Sequence, residues 1–207
     1  MTGLSGWQTI LQRLGGSRGN FGLLPDKGEP MPVMDAESAK DGDRLSIVEA
    51  HEAREIAGFD TALAARQIWK HSAQGLPRRE DIDPVSFGYK LLPYLVMLEV
   101  DWANADYHWR FSGEKAAVLY GRQITRRSLR DIEREFGHSV SLRPVLDSVV
   151  GARKPVFFRC WQNWPLGKPA ITYGVMMPLI ASDGQEQRSP VERILGALKC
   201  VREDGSL

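Results

Sequence analysis

Two short segments that end in turn-forming residues limit the folds open to this chain. Residues 107–113 read YHWRFSG, a strand pattern in which Tyr107, Trp109 and Phe111 share one face and a glycine stops the strand. Residues 177–184 read MPLIASDG, a strand that ends in the hairpin signal Asp-Gly. Together they predict a small antiparallel sheet whose inner face carries aromatic rings.

The other periodic segments alternate between helical and strand patterns. Further strands are predicted at residues 94–100, 156–161 and 193–201, and the strand that leads to the Asp-Gly signal is predicted at residues 170–180. Helices are predicted at residues 59–75, 84–91, 114–120 and 139–151, and the second begins at the N-cap pair Asp83-Pro84. Residues 122–132 are predicted to be short and irregular. This order predicts an α+β domain with a five-stranded antiparallel sheet and helices packed on one face.

The beginning of the chain has little apolar periodicity. Residues 1–44 are rich in glycine and proline, so burial cannot offset the entropy of ordering them, and we predict a weakly ordered segment. Residues 45–92 are predicted to be a helical extension with a linker, and residues 93–203 the sheet domain.

Charge and hydrophobicity exclude several classes of protein. The 27 basic and 26 acidic residues give a net charge of +1, which provides no electrostatic reason to bind nucleic acid or a membrane surface. The longest apolar run, residues 91–100, is about half the roughly 20 residues of a membrane helix. Residues 1–44 contain no secretory signal pattern. We therefore expect a cytoplasmic protein, in which Cys160 and Cys200 are buried free thiols rather than a pair on neighbouring strands.

The order of these elements from about residue 63 to residue 201 resembles the PAS sensory fold. It is similar in particular to stand-alone bacterial PAS proteins with N-terminal helices and an LPxRxDIDP-like segment, here LPRREDIDP at residues 76–84. Further matching pieces are YHWRFSG at 107–113, LYGR at 119–122, KPV at 154–156 and MPL at 177–179. The resemblance implies a small sensory or regulatory protein, and the group has no known common chemistry.

Motifs for catalysis, metals and nucleotides are not evident. The glycine-rich residues 15–22 lack a preceding strand and a P-loop lysine. The four histidines, which include His108 and His138, show no pair at metal-binding spacing. The flavin-type asparagine–cysteine segment of PAS relatives is not found, and haem would have to use His138. We therefore predict neither a cofactor nor a metal.

The candidate ligand site is the space between the concave face of the sheet and the helices of residues 114–151. Its predicted lining is Trp109, Phe111, Tyr120, Arg122, Ile124, Leu129, Leu146, Phe157, Tyr173 and Met177. Such pockets are largely apolar with a few oriented polar groups. Aromatic rows on the inner face of a sheet also form packed cores, so a ligand-accessible cavity and a packed core both remain open.

A second candidate site is a surface for a protein partner, which could be a second copy of the chain. The predicted contact residues are Trp69, Arg78, Arg79, Asp81 and Asp83. Trp69 lies on an apolar helical stripe, so it can instead anchor the core. The charged residues can instead form ion pairs that hold the linker, residues 76–84, on the domain.

Two functions follow from these sites. The leading hypothesis is a non-catalytic cytoplasmic protein of bacterial signalling that acts through ligand binding, protein contact or both. The alternative is a small α+β enzyme or carrier in which Asp101, His108 or Tyr173 acts on a hydrophobic molecule in the cavity between sheet and helices. The predicted position of His108, opposite the aromatic face, counts against the alternative.

Overall fold

An antiparallel sheet of six strands forms the centre of the structure, a computed structural model that describes residues 44–118, 124–136, 141–163, 169–181 and 190–202. The strands are β1 (Arg44–Val48), β2 (Leu95–Asp101), β3 (Asp106–Ser112), β4 (Val156–Asn163), β5 (Pro169–Ile180) and β6 (Val191–Arg202). Their order across the sheet is β1-β4-β5-β6-β2-β3. The predicted α+β class and antiparallel sheet are confirmed.

Strand β1 is the sixth strand, which the sequence prediction did not include. It pairs antiparallel with β4, placing Leu45 opposite Cys160 and Val48 opposite Phe157. Its backbone groups complete hydrogen bonds that the edge of β4 would otherwise leave to solvent. Residues 1–43, most of the segment predicted to be weakly ordered, lie outside the described residues.

The helices lie close to the predicted positions. They are α1 (Asp60–His71), α2 (Gly88–Leu91), α3 (Glu114–Val118), α4 (Leu129–Phe136) and α5 (Arg143–Ala152), with 3-10 turns at Glu52–Arg54, Ala57–Phe59, Arg79–Asp81, Pro84–Phe87 and Leu92–Tyr94. The Asp83 carboxylate accepts the Val85 N–H at 2.9 Å, so the predicted N-cap is confirmed. Helix α4 occupies part of the region predicted to be irregular.

Helices cover both faces of the sheet rather than one. One apolar cluster joins α1 and the 3-10 turns to the sheet, and we call this side the α1 face. A second cluster joins α3, α4 and α5 to the other side, the α5 face. Neighbouring residues of a strand point to opposite faces, and Met176 and Met177 are both fully buried, one on each face. The central strands are therefore apolar on both sides.

Two glycines on the α5 face make room for large neighbours. Gly174 lies between Phe158 and Leu198, its partners on β4 and β6, and a Cβ atom on Gly174 would lie 2.5 Å from the Phe158 ring. A Cβ atom on Gly196 would lie 2.5 Å from the sulfur of Met176. Both positions thus exclude a side chain because the adjacent core residues fill the space.

Candidate functional site

A bulge in β3 sends Trp109 and Phe111 to opposite faces of the sheet. Strand β2 pairs Leu98 with Trp109 but Met97 with Phe111, so one step along β2 spans two residues of β3. Cross-strand partners share a face. Trp109 and Leu98 therefore belong to the α5 face, and Phe111 and Met97 to the α1 face. The prediction that Phe111 shares a face with Tyr107 and Trp109 is wrong, because the extra residue inverts the alternation.

Four of the predicted ligand-site residues lie together on the α5 face. They are Trp109, Ile124, Leu129 and Leu146. Leu129 is 2% exposed and the other three are fully buried. They pack with Phe158 and Met176 from the central strands, and an interior this close-packed tolerates few voids. These side chains are therefore arranged like a packed core.

Four other predicted ligand-site residues lie on the α1 face, so the sheet separates them from the four on the α5 face. They are Phe111, Phe157, Tyr173 and Met177. The Phe59 ring packs edge-on against Tyr173 and Phe157, with centroid distances of 5.2 and 5.8 Å. Such edge-to-face pairs add about 0.5–1.5 kcal/mol beyond the buried area. This half of the predicted lining therefore holds the segment before α1 against the sheet.

Tyr120 and Arg122, the remaining predicted ligand-site residues, lie outside the described residues.

Sequence reasoning missed Thr172, which pairs with Cys160 on β4 and Cys200 on β6 and therefore lies on the α5 face. Its hydroxyl is buried and has no hydrogen-bond partner. The alternation of β5 was the available signal, because Thr172 shares a face with Gly174 and Met176. An unsatisfied buried hydroxyl costs free energy that a bound polar group would recover.

Arg143 ties α4 and α5 to the beginning of β3. Its guanidinium donates to Asp106 at 3.0 Å and lies 3.6 Å from the Glu133 carboxylate. Burial raises the pKa of Asp106, but the Tyr107 N–H, the Arg143 guanidinium and the Arg130 N–H outweigh it, so the pKa lies below its usual value. Asp106 is therefore an ionised anchor that holds the two helices on the sheet.

Tyr107 forms a second polar contact in the same region. Its hydroxyl donates to the Asp147 carboxylate at 2.5 Å, and the Arg143 guanidinium lies over its ring. Burial and the Asp147 carboxylate raise the pKa of Tyr107 well above its usual value. A phenol held neutral in this way is a hydrogen-bond donor rather than a base.

Two of the three residues of the enzyme alternative pair with each other, and the third lies elsewhere. His108 Nε2 lies 3.1 Å from Asp101 Oδ2 beside the turn between β2 and β3, and the two side chains are 33% and 22% exposed. Asp101 also accepts bonds from Asn104. Tyr173 instead packs against Phe59 on the α1 face. The His108–Asp101 pair thus lies at the surface rather than in a closed cavity.

Some predicted partner-contact residues hold α1 and the linker in place. Trp69 is 7% exposed, and its indole N–H donates to the Pro178 carbonyl at 3.1 Å. The Arg78 N–H donates to the Asp81 carboxylate at 2.8 Å, and the backbone of Arg78 pairs with Ile180 at the end of β5. The linker is therefore joined to the sheet by backbone hydrogen bonds.

A cleft of about 310 Å³ separates the end of α1 from residues 81–86. Its lining is Gln67, Ile68, His71, Ser72, Asp81, Asp83 and Ser86. Val85 lies within residues 81–86 and is 75% exposed, and Tyr89, three residues after Ser86, is 80% exposed. We call the cleft together with these two apolar side chains the linker surface. It combines carboxylates with exposed apolar area, which is typical of a surface that binds another protein.

Other classes of site receive no support from the part of the chain that the structure describes. Within it, no group of three or more His, Cys, Asp or Glu side chains could hold a metal ion. No helix among the described residues is long and apolar enough to cross a membrane. Neither cysteine forms a disulfide bond; Cys160 is buried as predicted, whereas Cys200 is half-buried because it lies near the end of β6.

Comparison with known proteins identifies a family over most of the chain. Residues 59–199 match a family model described as PAS domain. The matched range begins just before α1 and ends in β6, so it includes helices from both faces of the sheet. No curated protein and no solved structure matches the chain.

Proposed function

Because the chain belongs to the PAS domain family, we propose that it is a non-catalytic regulatory protein whose output is contact with a protein partner at the linker surface. The observation that carries the proposal is the exposure of Val85 and Tyr89, 75% and 80%, in and just after the chain segment that lines an open cleft. Exposed apolar groups with polar residues around them mark interaction sites. We place this activity in the cytoplasm of a bacterium.

The two apolar clusters share strands of the sheet, and this offers a way to regulate the linker surface. Strands β5 and β6 contribute to both apolar clusters, and α1 packs on both strands. The indole of Trp69 bonds the backbone of β5 at Pro178, one residue from Met177. A packing change on the α5 face therefore needs to cross only one layer of backbone to reach α1 and the linker surface. We propose this route as the regulatory coupling.

The partner proposal is tested by removing the exposed apolar groups. Val85→Ser with Tyr89→Ser should leave the fold intact, because both side chains lie mainly in solvent. The matched control is Ile47→Ser on β1, also an exposed apolar residue at 51%. Affinity purification from cells of the source organism should recover a specific partner with wild-type protein and the control, but not with the double variant. Equal recovery with all three proteins would refute the linker surface.

A small ligand on the α5 face is a second candidate, favoured by the unsatisfied Thr172 hydroxyl. Trp109, Ile124, Leu129 and Leu146 would form the apolar wall of that site. Native mass spectrometry of gently purified protein, with its absorption spectrum, should then show an added mass. Thr172→Val keeps the shape and removes the hydroxyl, so it should lower the occupancy. A wild-type mass equal to that of the polypeptide alone would contradict the ligand site and leave protein contact as the remaining proposal.

A further inference from the structure

Three arginines meet where the linker crosses the end of the sheet on the α1 face. The Ile180 N–H donates to the Pro77 carbonyl at 3.1 Å, which fixes the linker at the end of β5. Arg79 begins the 3-10 turn directly after this contact. Arg193 on β6 pairs with Leu179 of β5 and so lies beside the linker.

Arg193 and Arg110 point to the same side of the sheet. Arg193 is two residues from Leu195, which belongs to the α1 face, and side chains two apart share a face. Arg193 also pairs with Glu99 on β2. The Arg110 guanidinium bonds the Glu99 carboxylate, so it reaches the same region from the bulge of β3.

The cluster has unused hydrogen-bond donors. The Nε atoms of Arg79 and Arg193 are buried, and neither has a hydrogen-bond partner. The Glu192 carboxylate pairs with Arg193, but its oxygen is 3.8 Å from the Arg193 Nε, beyond hydrogen-bond distance. A buried donor without an acceptor is costly, and it is most costly on a charged group. Two such donors on one side of the sheet therefore need an acceptor.

The charge around Arg193 is also incompletely balanced. Burial lowers the pKa of Arg193, and the charges of Arg79 and Arg110 lower it further, against the opposing effect of Glu192 and Glu99. These two carboxylates face three guanidinium groups. One of the two, Glu99, already bonds Arg110. A negative charge placed among the arginines would relieve their mutual repulsion.

We propose that Arg79, Arg110 and Arg193 form a binding site for a small oxyanion, either inorganic phosphate or a phosphate or carboxylate group of a small molecule. Guanidinium forks match such groups in shape and form charge-assisted hydrogen bonds with them. The site lies on the α1 face and holds the linker through Arg79. It is therefore separate from the Thr172 region of the α5 face. Occupancy would fix the linker on the sheet and, with it, the position of the linker surface.

Titration calorimetry and thermal unfolding with phosphate test the site. Wild-type protein should bind phosphate, and phosphate should raise its unfolding temperature more than sodium chloride of equal ionic strength. Arg79→Gln should weaken phosphate binding about tenfold or more, as expected for the loss of a charge-assisted bond. Arg134→Gln is the matched control, because Arg134 is 71% exposed and pairs with Asp131 on its own helix.

Parallel titrations with succinate separate a carboxylate ligand from a phosphate ligand. Binding of either anion that is lost in Arg79→Gln and kept in Arg134→Gln supports the site. Arg110→Gln provides a second variant should Arg79→Gln fail to fold by circular dichroism. Equal effects of phosphate, succinate and chloride on wild-type protein would overturn the proposal. Equal losses in the arginine variants and the Arg134→Gln control would overturn it as well.

Discussion

Gly174 provides a sharp test of the packing on the α5 face. A Cβ atom at this position would lie 2.5 Å from the Phe158 ring and 2.8 Å from a methyl group of Leu198. Phe158 and Leu198 are 0% and 1% exposed and cannot move outward. Gly174→Ala should therefore lower the free energy of unfolding by about 1–3 kcal/mol, the usual cost of overpacking. For a chain of this size, each kcal/mol corresponds to about 2–4 °C in Tm.

Gly151→Ala makes the same chemical change where there is space. A Cβ atom on Gly151 would meet nothing within 4 Å, and the residue is near the end of α5. Alanine loses less conformational freedom than glycine on entering a helix, so this variant should gain up to about 0.5–1 kcal/mol. Urea unfolding of the two variants measures the difference. A Gly174→Ala protein as stable as wild type would show that Phe158 does not lie over Gly174, and the packing described for the α5 face would be refuted.

Three further expectations concern charge and thiols. Asp106→Asn should cost about 3 kcal/mol at pH 7, because it breaks a buried ion pair. Because the folded protein lowers the pKa of Asp106, the ionised carboxylate stabilises the fold at pH values above its unfolded pKa, near 3.8. This stabilisation is lost as the pH falls to the folded pKa. The loss of unfolding free energy caused by Asp106→Asn, measured by urea unfolding, should therefore shrink below about pH 4. Lys199→Gln should change stability by less than about 1 kcal/mol, since its partner Asp60 is exposed. Cys200 should react with a thiol reagent in the folded protein, and Cys160, 1% exposed, only after unfolding.

Local patterns were sufficient to predict most elements of the fold. The strand-forming residues of β3, the Asp83-Pro84 helix start and the apolar stripe of α5 each depend on residues within a few positions of one another. The hydrogen bond from the Val85 N–H to the Asp83 carboxylate joins residues only two positions apart. Such features can be read from one segment because no distant partner is needed to form them.

Features that depend on pairing between distant segments were missed. The bulge in β3 exists only relative to β2, so nothing within residues 107–111 separates Trp109 from Phe111. Strand β1 is only five residues long, and it forms by pairing with the edge of β4, which is distant in sequence. Adjacent apolar residues such as Phe157 and Phe158 cannot be assigned to faces from sequence when helices cover both sides. For this reason the residues predicted to line one ligand site lie on two different faces of the sheet.

The central claim is that a packing change on the α5 face reaches α1 through the sheet, and a double-mutant cycle tests it directly. Leu146→Ala opens space on the α5 face, and Trp69→Phe removes the hydrogen bond from α1 to Pro178. Urea unfolding of the single and double variants should give an interaction energy of at least about 0.5 kcal/mol. A control cycle of Leu146→Ala with Ile47→Ala, at an exposed residue of β1, should be additive. Additivity within about 0.3 kcal/mol in both cycles would contradict the coupling.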